Sequence, residues 1–116
     1  MKISDGKITY KNREYNLVFN LNVMEAIQEQ YGSIGAWGEL TKPEDGTEPN
    51  AKAVIFGITA MLNEGIDIEN EEAGTVLQPF TLRQVGRLLS DVGLATATAA
   101  MEKTVIESTK SAEKNG

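Results

Sequence analysis

The sequence predicts an α+β fold, mostly helical, in which an N-terminal β-hairpin precedes about four helices in a single domain. Three observations predict it. Large side chains alternate with period two before Asn20, and apolar residues recur with a helical period after it. Gly32 and Gly93 punctuate the helical part as stop signals, and Asn22 with Glu25 and Thr81 with Gln84 have the spacing of capping boxes. The chain has 116 residues, 41% of them hydrophobic and 24% charged, the size and balance of one ordinary domain. Area scaling gives roughly 6,000 Å² folded against about 18,000 Å² extended, enough burial for an independent core.

The hairpin is expected over 3–19. Ile3, Ile8 and Tyr10 lie before a polar connection, Lys11-Asn12-Arg13-Glu14, and Tyr15, Leu17 and Phe19 alternate after it. The helical part is expected over 22–106. Its first helix starts at Asn22, carries Val23, Ile27 and Tyr31 on one face and ends at Gly32. Ser33 to Leu40 follows Gly32, holds Gly35, Gly38 and the only tryptophan, Trp37, and reads as a compact turn or short helix. Thr41 to Asn50, with two prolines and three acids, reads as an exposed loop. A second helix runs from about Asn50 to Asn63 on the stripe Val54, Ile58 and Met61, widened by Ile55, Phe56 and Leu62 so that most of its girth is expected to be buried. Glu64 to Glu72 reads as an acidic, irregular link. The third helix starts at Thr81 with Leu82, Val85, Leu88, Leu89 and Val92 as its apolar face. The fourth carries Leu94, Thr98, Met101 and Val105. The globular domain thus covers 1–106, and 107–116, which lacks a large apolar residue, is expected to be a flexible polar tail.

Composition excludes much chemistry. With no cysteine and no histidine, disulfides, thiolate zinc sites and Ser-His-Asp or Cys-His catalysis are out of reach. No arrangement of carboxylates, lysines or hydroxyls forms a catalytic motif, so neither an enzyme nor a cofactor is expected. A net charge of −6 argues against nucleic acid as a partner. The longest apolar stretch, Ala51 to Leu62, is broken by Lys52 and Gly57 and is too short for a bilayer. Met1 to Gly6 has no apolar core and an early acid, so no signal peptide is expected and the cytoplasm is the default location.

Several residues stand out without a catalytic reading. Gly32, Gly35 and Gly38 follow a helix instead of a strand, which favours a turn over a dinucleotide fingerprint. Glu64, Asp67, Glu69, Glu71 and Glu72 lack the glycine and the terminal acid of a calcium loop, which leaves a solvated link or an acidic docking surface. Arg83 and Arg87 are spaced one turn apart, either as a solvated face or as a contact surface for a protein, with Asp91 placed to pair with Arg87. Trp37 is either core or a hot spot. The run Ala95 to Ala100 is either tightly packed or a self-association face. Met24, Met61 and Met101 would provide adaptable contacts where exposed. Trp37, Arg83, Arg87 and Met101 are therefore the candidate partner-binding residues.

One resemblance adds to this reading. The stretch Tyr15-Asn16-Leu17-Val18-Phe19-Asn20-Leu21-Asn22 leads into a helix ending Glu29-Gln30-Tyr31-Gly32-Ser33. The segment Leu62-Asn63-Glu64-Gly65 and the helix Leu82-Arg83-Gln84-Val85-Gly86-Arg87-Leu88-Leu89 follow. This order resembles the tail assembly chaperones of long-tailed bacteriophages and prophages of Gram-positive hosts, over roughly residues 5 to 110. The resemblance implies a non-enzymatic protein of the host cytoplasm that binds the tape measure protein, helps tail tube protein polymerise around it and is absent from the mature virion. It also implies that a longer, frameshifted form is common, for which Glu107 to Gly116 would be the junction. A structural virion subunit, such as a tail or head–tail connector component self-associating into rings, is the alternative.

Overall fold

The computed structural model describes residues 1–4 and 6–115, with side chains as far as Lys110. The chain opens with three strands, β1 (Lys2–Ser4), β2 (Lys7–Tyr10) and β3 (Arg13–Asn16), forming an antiparallel sheet in the order β1-β2-β3. The expected hairpin is therefore a three-stranded meander. Gly6 supplies the extra turn with φ of +74°, which lets Ile3 pair with Ile8 as a strand of its own. The second turn is only Lys11 and Asn12. Both have positive φ, 50° and 63°, as a two-residue type I′ hairpin requires, and this places Arg13 and Glu14 inside β3. Leu17 and Phe19 do not continue the strand. The Leu17 N–H returns to Gly6 O (2.7 Å), and the Val18 N–H donates to Met61 O on a helix (3.1 Å).

Among the described residues five helices follow: α1 (Leu21–Tyr31), α2 (Ile34–Thr41), α3 (Ala51–Ala73), α4 (Leu82–Ser90) and α5 (Leu94–Asn115). The count exceeds the expected four because Ser33 to Leu40 forms a helix, with the Ser33 hydroxyl accepting from the Ala36 N–H (2.9 Å). α1 begins one residue before the predicted start, with Asn20 as its cap, accepting from the Val23 N–H. Asn22 is thus inside the helix. Its amide and that of Asn20 both donate to the Glu64 carboxylate, at 2.9 and 2.6 Å. α4 has the predicted start, with both hydrogen bonds of the Thr81–Gln84 capping box made.

The largest departure is α3, which runs ten residues beyond its expected end at Asn63. Residues 64–72 are helical, not an irregular link. The stretch has no proline, Glu is a good helix former, and Ile66 extends the buried stripe Ile58 and Leu62 by another turn. α5 likewise continues through 107–110, where a tail was expected; the side chains of 111–116 lie outside the described residues.

α3 is the axis of the molecule. α1, α2, α4, α5 and β3 all pack against it, and among the described residues its first sixteen positions supply six of the seventeen core side chains, including Val54, Ile58, Met61 and Leu62. Two of its glycines mark where neighbours come closest. A Cβ on Gly57 would stand 2.5 Å from the Trp37 ring, whose Nε1–H donates to Ala53 O at 2.9 Å. A Cβ on Gly65 would stand 2.2 Å from the carbonyl oxygen of Asn16, where the chain leaves β3. The Arg13–Glu69 ion pair fastens the same strand to α3 further along.

Candidate functional site

What positions α4 is the connection before it. Residues 75–80 run back beside α3 in extended form, and two asparagines seven apart on α3 hold them. Asn70 donates to Leu77 O (3.0 Å) and accepts from the Leu77 N–H (3.0 Å) and from the Thr75 hydroxyl (2.6 Å). Asn63 does the same for Phe80, donating to its carbonyl (2.9 Å) and accepting from its N–H (2.8 Å). Each amide thus satisfies backbone groups that no strand or helix pairs. The Phe80 ring is held edge-on by Tyr10 (6.1 Å) and Tyr15 (5.4 Å) from the sheet. Thr81 caps α4 directly after this anchor, so α4 is docked from its first residue.

Docked this way, α4 buries Val85, Leu88 and Leu89 and leaves Leu82, expected on the same apolar face, 51% exposed. Leu82 faces an open groove of about 550 Å³ between α4 and the start of α3. Ile55, Phe56 and Leu82 give the groove its apolar surface, and Gly86 keeps it low. Ile55 reaches to 3.5 Å from where a Gly86 Cβ would be, an ordinary contact. Phe56 is braced from behind by Tyr31, ring edge to ring face at 5.5 Å. The Ser90 hydroxyl at one end is turned inward, donating to Gly86 O (2.8 Å).

The same groove carries Lys52, Arg83 and Arg87, all exposed. Among the described residues none of the three is in an ion pair. The pairing expected between Arg87 and Asp91 is not made; Asp91 stands 4.0 Å from the N-terminal ammonium of Met1 instead. The groove thus sets an apolar surface beside three cations that make no ion pair among the described residues, on a chain of net charge −6.

The predicted site residues divide between two places. Arg83 and Arg87 stand together on the α3–α4 groove. Trp37 and Met101 are 3% and 0% exposed and belong to the core, at the bottom of a second groove of about 540 Å³ between α2 and α5. Its walls carry Glu39, Glu44 and Glu102, with Lys42 paired to Glu102 at 3.6 Å. A contact through Trp37 or Met101 would need α2 and α5 to separate. A larger cleft of about 700 Å³ between β2 and α5 is lined mainly by polar side chains and backbone, with Leu17 and Val18 its large apolar residues. Sequence reasoning missed Lys52, Ile55, Phe56 and Leu82 as groove residues. Helical spacing assigns Ile55, Phe56 and Leu82 to buried faces, and in the sequence Lys52 is only a break in an apolar run.

The acids of 64–72 are spread around a helix, and among the described residues no three Asp or Glu side chains come together to hold a metal ion. Burial raises the Tyr31 hydroxyl above its ordinary range, and hydrogen bonds from the backbone and side chain of Thr47 lower Asp45 on the exposed loop. Neither side chain lines the α3–α4 groove. Among the described residues no helix is long and apolar enough to cross a membrane. No protein-family model, curated protein or solved structure matches this chain.

Proposed function

We propose that this chain is a non-enzymatic tail assembly chaperone of the long-tailed phage type. In this reading it binds the tape measure protein in the host cytoplasm and aids polymerisation of tail tube protein around it. The observation that carries the reading is the α3–α4 groove, whose apolar surface of Ile55, Phe56 and Leu82 lies open between two helices. A groove between helices suits the apolar stripe of a partner helix. A tape measure protein before assembly is a long helical chain with such stripes to cover. The charge of −6 keeps a complex of that kind soluble. The sequence resemblance to tail assembly chaperones points the same way.

The test is light scattering on a sizing column, with the protein alone and co-expressed with the long helical protein encoded beside it. The expected result is a small species alone that moves into a soluble complex with that partner. A discrete ring-sized oligomer, indifferent to the partner, would overturn the reading in favour of a structural virion subunit.

A further inference from the structure

We propose that the α3–α4 groove takes an amphipathic helix whose apolar stripe is bordered by a row of carboxylates. This deepens the chaperone reading and rests on it for the expectation that the partner is helical. The acidic border follows from the groove itself. Arg83 and Arg87 are four residues apart on α4, so they stand about 6 Å apart along one face. Carboxylates at i and i+4 on a helix lying alongside have the same separation. Each guanidinium presents a planar fork that matches a carboxylate. Lys52, on the α3 side of the groove, supplies a third cation to the same ligand. All three lack an ion pair among the described residues, in a chain with seventeen carboxylate side chains and only eleven cationic ones.

The groove supplies the other half of the recognition. Leu82 is half exposed beside Ile55 and Phe56, and Gly86 leaves room for an incoming side chain. A bare phosphate or polyanion would leave that apolar surface wet. A second copy of this chain is a poorer occupant, because its acid-rich helix α3 has already buried Ile58, Leu62 and Ile66 in its own core. Glu64 and Glu69 of that helix are also engaged, by Asn20 and Asn22 and by Arg13.

Two synthetic peptides test this with the full, isotope-labelled chain. Both are helical with the same leucine stripe; one flanks it with glutamates and the other with lysines. The glutamate peptide should shift the amide signals of Ile55, Phe56, Gly86 and Arg87. Three exposed ion pairs together are worth about tenfold in affinity, so the lysine peptide should bind at least that much more weakly. Raising the salt should weaken the glutamate peptide selectively. The double variant Arg83→Glu with Arg87→Glu, both exposed and outside the core, should keep the fold and lose at least the same factor. Equal binding of the two peptides would overturn the inference, as would shifts confined to the α2–α5 groove. So would a salt-sensitive dimer of the chain alone that uses this groove, since a second copy would then be the occupant. The two readings fail separately. A complex with the tape measure protein that survives the double variant removes the groove assignment and leaves the chaperone reading. Peptide binding without any such complex does the reverse.

Discussion

Replacing Gly65 by alanine places a methyl group 2.2 Å from the Asn16 carbonyl oxygen and 3.1 Å from its carbon. Ordinary carbon–oxygen contact lies about 1 Å further out, so the overlap is severe. Both sides are backbone, and neither can rotate away. Relief requires the chain after β3 to lift off α3, which strains the Val18 N–H to Met61 O hydrogen bond (3.1 Å) and the Arg13–Glu69 pair. Helix propensity alone favours alanine by about 0.5–1 kcal/mol. Overpacking a tight site costs about 1–3 kcal/mol or more, and a disturbed hydrogen bond adds about 1 kcal/mol. The net expectation is a loss of about 2–3 kcal/mol, on the order of 10 °C in Tm for a domain of this size. Urea unfolding followed by the fluorescence of the buried Trp37, with circular dichroism as a second probe, measures it. A variant as stable as the parent, or more stable by the propensity difference, would refute the claim that β3 and α3 are locked at this point.

Gly57→Ala should cost a comparable amount, because the Trp37 ring at 2.5 Å is fixed by its bond to Ala53 O while only Met101 can yield; a shifted Trp37 emission would accompany the loss. Asn63→Asp keeps the shape and the acceptor but loses the donor to Phe80 O. It should cost about 1–3 kcal/mol and raise amide exchange in α4 first, whereas unchanged exchange there would contradict the anchoring role. Tyr31→Phe keeps the edge contact with Phe56 and removes a buried hydroxyl that has no hydrogen-bond partner among the described residues, so it should be neutral or stabilising by up to about 1 kcal/mol. Burial raises the folded pKa of Tyr31 above the ordinary tyrosine value of about 10, so its share of stability is intact below that pH and falls as pH rises through the folded value. The parent should therefore lose more stability than Tyr31→Phe in alkaline unfolding curves; parallel curves would show that the hydroxyl is not desolvated.

Local signals in the sequence were read well, and signals set by distant neighbours were not. Thr81 and Gln84 announce α4 because both partners of the capping box lie within four residues. The strand Arg13–Asn16 is legible from Tyr15 and the polar turn, but β1 needs Gly6 at positive φ, which looks like any glycine in sequence. Gly65 and the acids around it resemble a helix end, yet Gly65 is there for the passage of Asn16, about fifty residues away in sequence. Asn63 and Asn70 read as breakers until the backbone they hold is known. In the groove, Arg83 and Arg87 were recognisable as surface charges. Leu82 was not recognisable as exposed, since its spacing to Val85 and Leu89 is that of a core position and only the docking angle of α4 turns it outward.

In the proposed complex a helical partner lies between α3 and α4. Methyl spectra of the labelled chain, recorded alone and in complex with the co-expressed long helical protein, test it most directly. Large changes are expected at Ile55 and Leu82, with Leu17 and Ile106 unmoved. A soluble complex that leaves Ile55 and Leu82 unchanged and perturbs Val105 and Ile106, at the α2–α5 groove, would contradict it.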